Sequence, residues 1–314
     1  MKKYMKFVNL FVFIIIIMIA FNTKYNPFAT NEVETLSQVI KTEDALFKEI
    51  EEQSPKYAKA PQNAVIDRVW KKTPGRNGLE VNVEKSYKKM KKKGTFNKSL
   101  LVFDQIPPEI KLKDLPASPI YRGHPDKNMV AFLINVSWGT EHIPEILNIL
   151  KENKVKATFF IEGKWAKENA DYVKMIDEQA HVIGNHAFNH PDMARLSNQA
   201  NLEQISQTNE IIKAITGKTP KWFAPPSGSF TDEVVDIAHN INMETILWTV
   251  DTIDWKKPSV SVMLNRVNSR VHQGATILMH PTPAIVEGLD PLIKNLKDKG
   301  YQIGTIEALL NEEI

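Results

Sequence analysis

The stretch MVAFLIN (residues 129–135), followed by IPEILNILKENK (143–154) and ATFFI (157–161), decides the fold. Two unbroken apolar runs of strand length flank a helix-like segment. Strands that are apolar on both faces belong to parallel sheets covered by helices. Downstream the alternation continues. Strand-like runs are expected at 181–183, 221–224, 244–250, 275–279 and 301–304. Helices are expected at 169–178, 202–215 ended by Gly217, 231–239 capped by Thr231 or Ser229, 259–271, and 291–299 stopped by Gly300. An open doubly wound sheet and a closed barrel both satisfy this pattern. Polar oddities gather just after the strands, where a barrel places its working residues. The expectation is therefore an α/β fold, a distorted (β/α) barrel of about seven strands over residues 119–314.

Upstream, residues 44–118 read as a small α+β subdomain punctuated by Pro61, Pro74, Gly75 and Gly78. Helical character is expected over 44–53 and 81–93, and a short strand over 100–103. Six lysines between Lys85 and Lys93 read as a solvated helix face, or else as a contact for an anionic wall polymer or membrane surface. Residues 23–43 read as a linker. Residues 1–22 place Lys2, Lys3 and Lys6 before an apolar run from Phe7 to Phe21, a signal segment or membrane anchor. Leading lysines put the N-terminus in the cytoplasm and the rest of the chain on the extracytoplasmic face of the cell membrane. If the segment is cleaved, the protein is secreted.

The 314 residues suffice for a core without disulfides, and there is no cysteine to make them. Forty Lys and Arg against 37 Asp and Glu leave a net charge of +3, which gives no case for nucleic acid. A monomer is expected.

The chemistry-bearing residues follow the strands. His186 and His190 are four apart, a spacing that on one helical turn sets both imidazoles on one face, where they suit zinc. Packing against Phe188 and Pro191 is the plainer alternative. His280 ends an apolar strand, as a core residue or as an acid–base group. Asp251 and Asp254 precede Trp255 and could orient a histidine, fix a substrate hydroxyl, or cap the next helix.

These strand ends resemble the polysaccharide deacetylases, carbohydrate esterases that remove N-acetyl groups from glycans. HAFNHP (186–191) is similar to their H-[ST]-x-x-H-P metal motif, and APPSG (224–228) to R-P-P-Y-G. DTIDW (251–255) resembles D-x-x-D-W, and LMHP (278–281) the L-x-H segment. The likeness spans about Met129 to Leu310. It is nearest to the sporulation-associated deacetylase-like subgroup of spore-forming Gram-positive bacteria. The resemblance implies a divalent metal, usually zinc, held by an Asp-His-His set, here His186 and His190. It implies His280 as the acid for the leaving amine, Asp254 orienting it, and Asp251 within the catalytic set. The backbone N–H of Ser227 would meet the oxyanion, and Trp255 and Pro226 would line the glycan groove.

The first family motif, T-F-D-D-G, is NVSWG (135–139) here. Ser137 stands for the base and Trp138 for the acidic metal ligand, and the Arg that pairs with the base is Ala224. A serine hydroxyl is no base at neutral pH, and an indole N–H only donates. Water, Glu141 or the Asp pair could complete a two-histidine zinc site. The resemblance therefore implies weak metal-dependent hydrolysis of N-acetyl C–N bonds on peptidoglycan or a chitin-like glycan. The alternative is a catalytically inactive glycan-binding or structural protein of the envelope or spore.

Overall fold

The computed structural model describes residues 44–314; the expected anchor (1–22) and linker (23–43) lie outside the described residues. No helix among the described residues is long and apolar enough to cross a membrane. The chain divides into two compact units. One contains residues 44–58 and 80–104, the other 59–79 and 105–314.

In the small unit, helix Ala45–Gln53 is capped by Asp44, whose side chain accepts from the Leu46 N–H at 2.8 Å. Helix Val83–Met90 begins at Asn82 in the same way. Leu46, Ile50, Val81, Met90 and Leu101 form the core between them. The lysines from Lys85 to Lys93 are all exposed, and Lys85 pairs with Asp104 at 2.8 Å.

Four short strands precede the barrel: β1 (Val65–Asp67), β2 (Lys71–Thr73), β3 (Gly78–Val81) and β4 (Phe103–Ile106). β1 and β2 make an antiparallel hairpin in the large unit. The barrel strands are β5 (Met129–Val136), β6 (Thr158–Ile161), β7 (Val182–Asn185), β8 (Trp222–Phe223), β9 (Glu244–Thr245), β10 (Val250–Asp251), β11 (Thr276–Met279) and β12 (Gln302–Gly304). They pair in parallel in the order β10-β11-β5-β6-β7-β8-β9, a curled seven-strand path, while β12 pairs the first three residues of β5. Among the described residues no ladder joins β9 to β10. Residues 120–123 cross that seam instead. Ile120 donates to Thr245 and accepts from Leu247, at 2.8 Å each, and Gly123 donates to Gly274 at 2.8 Å.

Alternation sorts the strand side chains into two cores. Val130, Phe132, Ile134 and Val136 pack with Phe159, Ile161 and Ile277 under the helices. Ala131, Leu133 and Phe160 point inward, with Ile120, Ala224 and Ile246.

Three elements depart from the sequence reading. The strand expected over 100–103 forms instead at Phe103–Ile106, after a 3₁₀ turn at Lys98–Leu100. The strand expected over 244–250 is broken into β9 and β10, and Trp248 between them turns into the barrel mouth. The helix expected to begin at Pro291 begins at Pro283 and runs to Asp298 with Pro291 inside it. Thr282 caps it through the Ile285 N–H at 3.3 Å, and Pro283 takes the first-turn place where a missing N–H costs nothing.

Lys72 on β2 is fully buried and bound to both Glu244 oxygens, at 2.7 and 2.8 Å, and to the Leu115 carbonyl at 3.3 Å. Removing one member of such a pair strands the other charge. Lys72→Met is expected to cost about 3 kcal/mol in denaturant unfolding. Combining it with Glu244→Gln should cost less than the two changes added, and strict additivity would show the pair to be uncoupled.

His181, just before β7, accepts the Ala157 N–H through Nδ1 at 3.1 Å and meets Phe159 edge-on at 5.2 Å. Burial pushes its pKa down to about 4. The folded chain thus keeps it neutral while the unfolded chain protonates below about 6.5. Its contribution is complete above that pH and is lost as the pH falls toward 4, by up to about 1.4 kcal/mol per unit. Urea unfolding at pH 7, 6 and 5 should show the slope, and His181→Gln should flatten it. An equal slope in the variant would assign the effect to other groups.

Candidate functional site

Parallel register fixes which residues share a level inside the barrel. Val136 is opposite Ile161, Ile161 opposite Asn185, and Asn185 opposite Phe223. One step further, Ser137, Glu162, His186 and Ala224 stand side by side on the inner face. The backbone bonds Glu162 N–H to Val136 O and His186 N–H to Ile161 O continue the ladders to that level. Above them a cavity of about 360 Å³ opens at the C-terminal ends of the strands. Asn135, Ser137, Trp138, His186, His190, Ser227, Trp248, Asp251, Trp255, Leu278 and His280 line it.

His186 is buried, and its Nδ1 lies 2.7 Å from the Ala224 carbonyl. That oxygen can only accept, so Nδ1 carries the hydrogen and Nε2 keeps its lone pair. Burial, with His190 and His280 nearby, pushes the pKa down to about 3. His190 lies beside it, ring centroids 5.1 Å apart, and burial lowers its pKa as well. The two do not share a helical turn. Ala187 and His190 have positive φ, 59° and 56°, in a loop after β7. The Asn185 side chain accepts from Ala187, and that of Gln204 from Phe188 and Asn189, at 2.8–3.2 Å, so the loop is held from below.

On the opposite wall, Asp254 is fully buried. It accepts from the Thr252 hydroxyl (2.5 Å), the Thr282 hydroxyl (3.0 Å), the His280 N–H (3.2 Å) and His280 Nδ1 (3.1 Å). His280 Nε2 is thereby left for the cavity. Asp254 and Pro226 do not reach the cavity wall, whereas Asp251 does. The Asp251 carboxylate accepts the Ile253 N–H at 2.8 Å, and Ile253 is held at φ 53°, a costly place for a β-branched residue. Ser227 is left-handed too, at φ 54°, on the turn that presents it to the cavity.

Trp138 lies flat on His280, with centroids 5.9 Å apart and ring planes 8° apart, and it is 46% exposed. Gly139 makes this approach possible. Its φ is 76°, and a Cβ there would come within 2.1 Å of the Pro281 carbonyl oxygen. Trp255 is equally open to solvent, with Lys256 Nζ 4.8 Å from its ring centre.

For a metal, only His186 and His190 stand ready. No group of three His, Cys, Asp or Glu able to hold an ion is assembled among the described residues. Glu141 points to solvent, 73% exposed and 3.6 Å from His142. The donor set falls one short of the three protein ligands of a catalytic zinc, and Trp138 cannot supply the third.

Two residues of this site, Trp248 and Glu162, escaped the sequence reading, and Asn135 stood first in NVSWG without a role. Asn135 is a polar end to an apolar strand, Trp248 sits in the break between β9 and β10, and Glu162 closes ATFFI with an acid. Glu162 is 8% exposed, and the register sets it beside Ser137. Burial raises its pKa, against the lowering effect of Ser137 and Lys164.

Comparison with known proteins fits this geometry. The polysaccharide deacetylase family model matches residues 122–246. The chain is 49% identical over 313 residues to Bacillus subtilis "Uncharacterized protein YlxY", covering 98% of each. It is 35% identical over 194 residues to a Bacillus cereus peptidoglycan-N-acetylglucosamine deacetylase, covering 60% of this chain and 70% of the other. Among solved structures, wild-type BA3943 of Bacillus anthracis, described as a CE4 family pseudoenzyme, superposes with a TM-score of 0.81 at 50% identity, covering 86% of this chain and 96% of that one. A BA3943 mutant described as having restored enzymatic activity superposes equally well, with 85% and 98% covered. With the rim residues in these positions and full-length relatives at this identity, the chain belongs to the polysaccharide deacetylase family, the CE4 carbohydrate esterases.

Proposed function

We propose that this chain recognises cell-wall glycan in the family's groove and has lost hydrolysis of N-acetyl groups. One observation carries the reading: the Trp138 indole lies against His280, in a segment, NVSWG, that has Ser137 and Trp138 where the motif T-F-D-D-G has its two carboxylates. Loss of the general base alone costs about 10²–10⁴-fold. The paired loss of the arginine is consistent, because a buried guanidinium without its carboxylate would be destabilising. Trp138 and Trp255 offer exposed aromatic faces to sugar rings. The names of the B. cereus relative and of BA3943 support, respectively, peptidoglycan as the glycan and an inactive site. A monomer tethered by residues 1–22 on the outer face of the membrane would meet that polymer. The intact Asp254–His280 pair, with Ser227 on the rim, favours a second reading, slow residual deacetylation in which Asp254 orients His280 as the acid.

The full-length protein is expected to release no acetate above background from acetylated peptidoglycan or chito-oligosaccharide with zinc, cobalt or manganese, while still binding the glycan. Steady acetate release at any of these metals would favour the second reading. Elemental analysis should find well below one metal per chain.

Ser137→Asp with Trp138→Asp supplies both missing carboxylates and should raise metal content toward one per chain and acetate release by about 10²-fold or more. Asp at 137 also lands beside Glu162, and two adjacent carboxylates tend to share a proton. Adding Glu162→Gln should therefore raise activity near neutral pH further. No effect of the third change would mean that Glu162 does not couple to position 137.

A further inference from the structure

The cavity wall is rich in acceptors and poor in positive charge. The Asn135 Oδ1 is buried and has no hydrogen-bond partner, in a residue only 4% exposed that lines the cavity. An orphaned buried acceptor of this kind costs about 1–3 kcal/mol and calls for a donor. Just past the end of the same strand, the Ser137 hydroxyl lines the cavity with Glu162 beside it in the register, and its oxygen offers lone pairs to a donor. His186 presents a bare Nε2, because Nδ1 is committed to the Ala224 carbonyl. Asp251 adds a carboxylate to the wall. No Lys or Arg is among the described residues that line the cavity, and no basic group of the described chain forms an ion pair with Glu162. The arginine that would neutralise a carboxylate at this level is Ala224.

A pocket of this kind suits a small cation carrying several hydrogens. An acetamide brings one N–H donor together with a carbonyl that needs donors in return. A primary ammonium brings three N–H donors and a charge. We propose that the pocket recognises the free amine of a de-N-acetylated amino sugar, the product of deacetylation, with Asn135, Ser137 backed by Glu162, His186 and Asp251 as acceptors. The buried carboxyl group at this level is that of Glu162, after β6. There it favours a cation beside Ser137 instead of serving as a base. The inference rests on the glycan-binding reading above and names the sugar that reading leaves open.

Trp138, Trp248 and Trp255 line the cavity, so tryptophan emission of the full-length protein reports occupancy. Titration with glucosamine tetramer and with its fully N-acetylated counterpart, both in EDTA, should show the free amine binding about tenfold tighter or more, the worth of one charge-assisted hydrogen bond. Glu162→Gln, which keeps the shape, should bring the two oligomers close to parity. Asn135→Leu should weaken the amine alone. Equal or tighter binding of the acetylated tetramer would overturn the inference and leave the glycan reading standing. Failure of both oligomers to bind would overturn both. A preference that appears only when zinc is added would make the pocket a metal site and overturn the ammonium assignment.

Discussion

Side chains alternate along a strand, and parallel neighbours share register. The residues directly after β5, β6, β7 and β8 must therefore enter the barrel at one height. One wall of the site follows from that constraint. Ser137, Glu162, His186 and Ala224 come from stretches of chain far apart in sequence, yet they form one row. A change at any of them alters the electrostatic setting of the next. The opposite wall is fixed by a different device, the buried Asp254 carboxylate. Its four donors come from two loops, 252–254 and 280–282. Hydrogen bonds to a charged group are worth about 1.5–3 kcal/mol each, so this knot holds the His280 rim whether or not chemistry takes place there.

Set beside the family pattern, the row shows a coordinated change. By the motif resemblance, the hydroxyl of Ser137 after β5, the methyl of Ala224 after β8 and the indole of Trp138 stand where the family pattern has a carboxylate, its arginine and an acidic metal ligand. Each replacement removes a charge that would otherwise need its partner. The acid at this level, Glu162, stands beside Ser137 in the register and has no guanidinium partner among the described residues. The neutral histidines follow from the same environment, because burial disfavours the imidazolium.

Much of this was legible in the sequence, for identifiable reasons. Apolar runs such as MVAFLIN and ATFFI could be little else than buried strands, and polar residues directly after them marked the rim. The helix starts at Ser259 and Thr231 were visible because a hydroxyl before an apolar period is a cap. Other features were hidden. Ile246 to Thr249 reads as uninterrupted strand, and only the fold shows Trp248 leaving the ladder. Pro291 looked like a helix start because proline favours that position, but Thr282 and Pro283 supply a better one eight residues earlier. The spacing of His186 and His190 suggested a helical turn, whereas two left-handed residues bring the rings together. Glu162 was hidden because an acid before a helix reads as first-turn charge, and its inward course depends on register that the sequence does not display.

The seam between β9 and β10 has a consequence for where this fold can be cut. Ile120 is fully buried and lines the β9 side of that seam, donating to Thr245 and accepting from Leu247. The family match begins at residue 122, after this stave. An excised fragment that starts at the homology boundary would keep every rim residue and still lose the slat that closes the wall. It would expose the apolar lumen and the unpaired backbone of β9, an edge that invites chains to associate.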